Sequence, residues 1–136
     1  MALAGMTLLH HFLPVMPLIA YPWNAYGLIP LAAGIVLNLN ADRLFKKHGT
    51  TVKPFEESSV LITSGAFRFS RNPMYLGMVM ILVGAGVLMG SLSPFTLIPA
   101  FVMIMDRVFI ASEERMLDRR FGNDWQHYKA SVRRWI

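Results

Sequence analysis

From Met1 to Ala41 the chain carries no Asp, Glu, Lys or Arg, and from Asn72 to Met105 it again carries none. All 21 charged side chains fall in two blocks, Asp42 to Arg71 and Asp106 to Ile136. That blocking limits the possible folds more than any single motif does. An ionised side chain at the centre of a bilayer costs about 3 kcal/mol on insertion scales. A soluble helical bundle would spread charge along every helix at a 3.6-residue period. Each uncharged run exceeds the ~20 residues that a spanning helix needs. Only 15% of the residues are charged, against about 25% in an ordinary soluble domain.

Each uncharged block is long enough for two spans and is interrupted near its middle. The first break is "YPWN", Tyr21 to Asn24, with turn formers beside interfacial aromatics. The second is "GSLSP", Gly90 to Pro94, where Ser93 can cap a helix begun by Pro94. The expected fold is all-α: a polytopic transmembrane protein of about four spans arranged as two hairpins. The spans are Ala4–Ala20, Ala25–Ala41, Pro73–Met89 and Pro94–Ile110; the first, with His10, His11, Pro14 and Pro17, is expected to be kinked or to lie partly in the interface. One domain, 1–136, divides into an N-terminal hairpin (1–41), a cytoplasmic connection (42–72), a second hairpin (73–110) and cytoplasmic C-terminal helices (111–136). Within 111–136, Gly122 should stop one helix. Asp124 should cap a last amphipathic helix that ends in Arg133, Arg134 and Trp135 and suits a lipid surface.

Both charged blocks hold more Lys and Arg than Asp and Glu, six against three and seven against five. The positive-inside rule then puts both termini, and any chemistry, on the cytoplasmic side. The net charge of +5 has this topological reading. No basic run with interleaved aromatics points to nucleic acid. With no cysteine there is no disulfide, thiolate metal site or cysteine nucleophile. The N-terminus lacks the basic segment of a cleaved signal and is read as mature sequence. His10 and His11 diverge by about 100° on a helix, so no metal site is expected. Glycines at Gly77 and Gly84, and the GxxxG from Gly86 to Gly90, read as helix packing.

Three groups of residues could carry chemistry. In "SRNPMY", Ser70 or Asn72 can cap a helix begun by Pro73, whose free N–H groups lie beside Arg71. That is a seat for a carboxylate or polar heterocycle, although Arg68 and Arg71 read equally well as topology arginines. In "SEERML", Glu113 and Glu114 are either a solvated face or a pair of which one turns inward to a ribose diol or an amine. Asp106 and Arg107 lie deeper, as a mutual or interhelical ion pair or as a site by virtue of their depth.

"LITSGAFRFSRNPMYLG", followed after one hairpin by "EERMLDRRFGNDWQHYKASVRRW", resembles the isoprenylcysteine carboxyl methyltransferase and phospholipid methyltransferase superfamily. The likeness runs from about Gly49 to Ile136. It implies an integral membrane enzyme using S-adenosylmethionine, with the donor held at the cytoplasmic face by both motifs. By that resemblance Ser59, Val60, Leu61 and Ile62 would line the donor through backbone. Phe67, Asn72, Pro73, Met74, Tyr75 and Glu113 would complete its site. Arg71 and Glu114 are the candidate catalytic pair and Arg107 the candidate substrate contact. The sequence departs from the pattern at Phe67 and Trp125, which replace tyrosines, and at Asn72, which replaces the histidine of the eukaryotic enzymes. The substrate-facing arginine of the isoprenylcysteine enzymes falls on Phe109. The expected acceptor is a lipophilic small molecule or lipid in the bilayer: an isoprenylcysteine-type carboxylate, a phospholipid amine or another hydrophobic compound. No nucleic acid or metal is expected. The alternatives are a nicotinamide-dependent membrane reductase of the sterol-reductase type and a non-catalytic membrane partner.

Overall fold

The structure, a computed structural model, describes residues 1–13, 15–49 and 59–136. The described residues form two units, Met1–Val36 with Gly77–Met103 and Leu37–Leu76 with Ile104–Ile136.

In the first unit, α1 (Ala2–Phe12) buries Met6 completely in a core shared with Leu82 and Ala85 of α3 (Pro73–Met89). The expected span Ala4–Ala20 is corrected, because the helix stops at Phe12. Eleven residues rise only ~16 Å, about half of a ~30 Å hydrocarbon layer. The cause is local chemistry. A residue before proline is driven out of the helical region, and proline has no N–H to continue the ladder. Pro14 itself, expected as a kink, lies outside the described residues. The chain beyond α1 bonds instead to the 90–93 turn. Leu18 and Ile19 N–H donate to the Gly90 carbonyl, and Leu92 N–H donates to that of Met16. Val15 N–H donates to the Ser93 hydroxyl, which donates to the Leu13 carbonyl. Ser93 therefore does not cap the helix that follows it, since its hydroxyl is committed to this segment. Non-helical backbone beside lipid requires such internal partners.

A short 3₁₀ turn, Trp23–Gly27, leads into α2 (Leu28–Lys47). Within this unit the chain leading into and along α2 meets α3 backbone to backbone. A Cβ on Gly27 would lie 2.5 Å from the Gly84 carbonyl oxygen, and one on Gly34 2.5 Å from that of Gly77. Glycines seven apart on both segments thus pair in antiparallel register, the close approach that small residues allow in membranes. The expected GxxxG seam is corrected: Gly86 lies under the Phe95 ring, and Gly90, at φ +70°, turns the chain against the Ile19 carbonyl.

The 3₁₀ turn Ser93–Thr96, α4 (Leu97–Ile104), a π-helical turn Met105–Ile110 and α5 (Ala111–Phe121) follow one another without a break. Two helical stretches, Trp23–Lys47 and Ser93–Phe121, are long and apolar enough to cross a membrane. Only 11% and 6% of their apolar windows are buried in the protein, whereas a soluble core helix would be mostly covered. We therefore read the chain as an integral membrane protein. α3 is apolar and shorter, at 17 residues.

The second unit has its own core of Ala41, Ile62, Phe67, Trp125 and Tyr128. α2 continues past Ala41 into the charged block, where Lys46 pairs with Asp42 at 2.6 Å. Of the expected connection, residues 50–58 lie outside the described residues. Gly65 opens a 3₁₀ turn, Gly65–Arg68, that buries Phe67 with its ring edge-on to Phe45. Gly122 ends α5 at φ +50°, as its position suggested. α6 (Asn123–Ser131) places Asp124 inside its first turn, not at the cap. The last helix is also shorter than expected. Val132 is extended, and the tail doubles back so that Arg71 N–H donates to the Arg133 carbonyl at 3.0 Å. The Tyr128 hydroxyl donates to the Phe67 carbonyl at 2.7 Å.

Two outcomes follow. Gly84→Val should lower the thermal midpoint in detergent by several degrees, since overpacking costs about 1–3 kcal/mol. Gly5→Ala should change it little, because its nearest neighbour is the flexible tip of Leu97. Burial pushes the Tyr128 hydroxyl from 10 up to about 12, with Arg71 pulling the other way. The stability this group lends is complete below pH 10 and lost as pH rises through 12. Tyr128→Phe should cost about 1–2 kcal/mol at neutral pH, for the orphaned carbonyl. In a pH-resolved melting series it should also flatten the alkaline loss.

Candidate functional site

The site is built in the second unit, from the start of α3 outward. Asn72 holds the cap position: its carbonyl accepts Leu76 N–H at 3.0 Å, and Pro73, fully buried, is the first helical residue. The Ser70 hydroxyl accepts Asn72 N–H at 3.1 Å. The Asn72 side chain points elsewhere, its Nδ2 donating to the Arg134 carbonyl at 3.0 Å. The start of α3 and the folded-back tail are thereby joined.

Arg71 is the buried cation here, its side chain only 9% exposed. Its Nη1 lies 2.9 Å from Glu114 Oε1, yet out of line for a hydrogen bond. Among the described residues, Arg71 Nε and Nη1 have no hydrogen-bond partner. The guanidinium carbon sits 5.6 Å from the centroid of the Trp125 ring. A buried guanidinium nitrogen without an acceptor is costly, so an acceptor supplied to these nitrogens would be favoured.

Glu114 is held by a second arginine as well. Arg134 donates to it from Nη2 at 2.6 Å and from Nε at 3.2 Å. Arg134 Nη1 also reaches both oxygens of Asp106 at 3.2 Å, and the Trp135 indole N–H donates to Asp106 Oδ1 at 3.2 Å. The hydrogen bond to Glu114 first, then the Glu114 charge and the Asp106 charge, push the Arg134 guanidinium above its ordinary value against the opposing effect of burial. Of the readings open for Asp106, the structure shows a pair with a distant residue, Arg134, instead of one with its neighbour Arg107. Arg107 is exposed on the same π-helical turn.

Glu113 differs from its neighbour. Its Oε1 accepts the Tyr75 hydroxyl at 2.6 Å, and among the described residues no cation pairs with it. One turn into α3, Tyr75 also stands 6.4 Å, ring to ring, from Phe109. The structure thus brings Arg71, Asn72, Tyr75, Glu113 and Glu114 into one neighbourhood. Ile62 and Phe67 lie in the core, with Leu61 and Met74 packed on it. Ser59 and Val60 are exposed. Asp106, Arg134 and Trp135 belong to the cluster although the sequence reading sent the tail to the lipid surface. The signal was available: a carboxylate at the depth of Asp106 requires a partner. Among the described residues, no group of three His, Asp or Glu side chains could hold a metal ion.

The sequence model of the phospholipid methyltransferase family matches residues 23–124. A Haemophilus influenzae protein described only as uncharacterized is 32% identical over 63 residues, which is 46% of this chain and all of that protein. The solved structure of the eukaryotic intramembrane Ras methyltransferase ICMT, isoprenylcysteine carboxyl methyltransferase, superposes with a TM-score of 0.73 at 26% identity. That likeness covers 99% of this chain and 49% of the other, so the chain spans about half of that enzyme's length.

Removing the charge of Glu114 should be expensive, since it takes the counter-charge from the buried Arg71 and one of two carboxylates from Arg134. Glu114→Gln is expected to cost about 2–4 kcal/mol. Lys46→Ala breaks a pair whose lysine is 76% exposed and should cost less than about 0.5 kcal/mol. Melting curves of the two variants in one detergent check the contrast; equal losses would contradict this description of the cluster.

Proposed function

The chain belongs to the phospholipid methyltransferase family, and we propose that it is a membrane methyltransferase passing the methyl group of S-adenosylmethionine to a lipophilic acceptor at the cytoplasmic membrane face. The observation that carries this reading is the pairing of two unfulfilled groups in one cluster. Arg71 is buried with two nitrogens lacking acceptors, and Glu113 is oriented by Tyr75 with no described cation beside it.

These residues fit the donor's chemistry. Arg71 and the N-terminus of α3 suit its carboxylate, since helix N-termini favour anions. Glu113 suits a ribose diol or the donor's ammonium, with the Tyr75 hydroxyl fixing the orientation of its carboxylate. The expected roles of Ser59, Val60, Leu61, Ile62, Phe67, Asn72, Pro73 and Met74 join this proposal as walls and backbone around that seat. In the cluster, two guanidiniums (Arg71, Arg134) meet three carboxylates (Asp106, Glu113, Glu114). The surplus negative charge complements a donor whose sulfonium and ammonium outnumber its carboxylate. When bound, S-adenosylmethionine supplies an electrophilic methyl group and needs no metal. The protein's share is then to position the reactants and exclude water. Glu114, engaged by two arginines, holds Arg71 in place and is not available as a base. Arg107, exposed on the π-helical turn, is the cation an anionic acceptor head would meet. The charge bias of the two blocks supports a cytoplasmic site.

Calorimetry in detergent tests the donor site. Wild-type protein should bind S-adenosylhomocysteine and not NADPH. Glu113→Gln and Tyr75→Phe should each weaken that binding about tenfold, which corresponds to ~1.4 kcal/mol. Binding of NADPH alone, or wild-type affinity in both variants, would sink the reading. Methyl-labelled donor incubated with protein and total membrane lipid should label a species soluble in organic solvent.

A further inference from the structure

Arg134 is engaged at both ends of the residue. Its guanidinium forks onto Glu114 at 2.6 and 3.2 Å and onto Asp106 at 3.2 Å. Its carbonyl accepts Asn72 Nδ2 at 3.0 Å, and the neighbouring Arg133 carbonyl accepts Arg71 N–H at 3.0 Å. The extended tail therefore ties the start of α3 to the π-helical turn and the start of α5. Such a strap could serve stability alone. The state of Arg71 argues for more. Arg71 stands 2.9 Å from Glu114 but out of line, with Nε and Nη1 unused. Glu114 receives its hydrogen bonds from Arg134 instead.

We propose that Arg134 is a positioning residue of the donor site, an inference that rests on the donor-site reading above. By placing one hydrogen bond on each oxygen of Glu114, it competes with the Arg71 guanidinium for that carboxylate. Arg71 then keeps two nitrogens for the carboxylate of the donor. Without the fork, Glu114 draws Arg71 into hydrogen bonds and the anion seat is lost. A lysine cannot substitute, since a point charge does not span two carboxylates in a plane.

The experiment compares two ligands that differ in the group Arg71 would hold. S-adenosylhomocysteine carries the amino-acid carboxylate, and 5′-methylthioadenosine lacks it. Both are titrated calorimetrically into wild-type protein and Arg134→Lys, with the ligand-free melting point measured on the same samples. Arg134→Lys is expected to lose about tenfold in affinity for S-adenosylhomocysteine, by loss of the bidentate fork, and to bind methylthioadenosine as the wild type does. Equal losses for the two ligands would make Arg134 a structural staple only, and no loss for either would also overturn the proposal. If Arg134→Lys does not fold, Trp135→Phe carries the same comparison, because it removes one donor to Asp106 and keeps the ring bulk. About a threefold loss confined to S-adenosylhomocysteine supports the role, being the effect of one weakened hydrogen bond; equal changes for both ligands overturn it. If wild-type protein binds neither ligand, the donor-site reading fails first and this inference fails with it.

Discussion

Carboxylates at the ends of apolar helices need counter-charges, and in this chain the counter-charges come from far away in sequence. Glu114 and Asp106 sit on helical turns that continue an apolar stretch. An unpaired carboxylate there is penalised by desolvation far more than at a wet surface. Arg71 arrives from just before α3 and Arg134 from the last five residues of the chain. The ion cluster is therefore a long-range fastening, made of geometry that only arginine can supply: one guanidinium forking onto two carboxylates, another held beside them by packing on Trp125. Replacing the whole cluster with apolar side chains of like volume would cost the fold little, by general experience with buried pairs. What would go is the asymmetry between Glu114, which two arginines hold, and Glu113, which accepts from the Tyr75 hydroxyl.

The first unit solves a different problem with different chemistry. Apolar helices in lipid gain nothing from hiding apolar side chains from one another, so their association depends on close packing and on satisfied backbone. Four glycines provide the first. Gly27 and Gly34 lie against Gly84 and Gly77, with no room for a Cβ at any of the pairs. The second is provided by the 13–19 segment and the 90–93 turn, which exchange hydrogen bonds through Gly90, Met16, Ser93 and Leu13. Among the described residues beyond the short helix, the amides of Val15, Leu18 and Ile19 thus find partners within the protein.

How far the sequence could be read follows from which of these forces are local. The limits of α3 at Pro73 and Met89 were legible because a proline start and a glycine turn act on their own neighbours. So was the stop at Gly122. The first span was misjudged because its prolines were read as bending one long helix, whereas the helix stops at Phe12. The packing glycines were half legible: Gly77 and Gly84 drew notice, but the seam depends on Gly27 and Gly34, and that match exists only across two segments. The tail was misread for a similar reason. Arg133, Arg134 and Trp135 suit a lipid surface by composition. Only the placement of Asp106 and Glu114 shows that Arg134 has two partners to meet. On the site itself, the sequence pointed to Asn72, Tyr75 and Glu113. It could not tell that the Asn72 amide is spent on the tail, or that Tyr75 and Glu113 bond to each other.

The inequality between the two adjacent glutamates has a consequence for the proposed chemistry. Neighbouring residues on a helix diverge by about 100°, so Glu113 and Glu114 cannot share one environment. One carboxylate is paired with arginines, and the other, among the described residues, has a hydroxyl and no cation beside it. A surplus charge of this kind does little for a neutral ligand and attracts a cationic one. Methyl transfer from a sulfonium removes one positive charge from the donor, so the same carboxylate that favours binding before transfer favours it less afterwards. On the proposed reading, the seat needs no moving part to distinguish donor from spent product. The difference is written into which glutamate the tail arginine occupies and which it leaves alone.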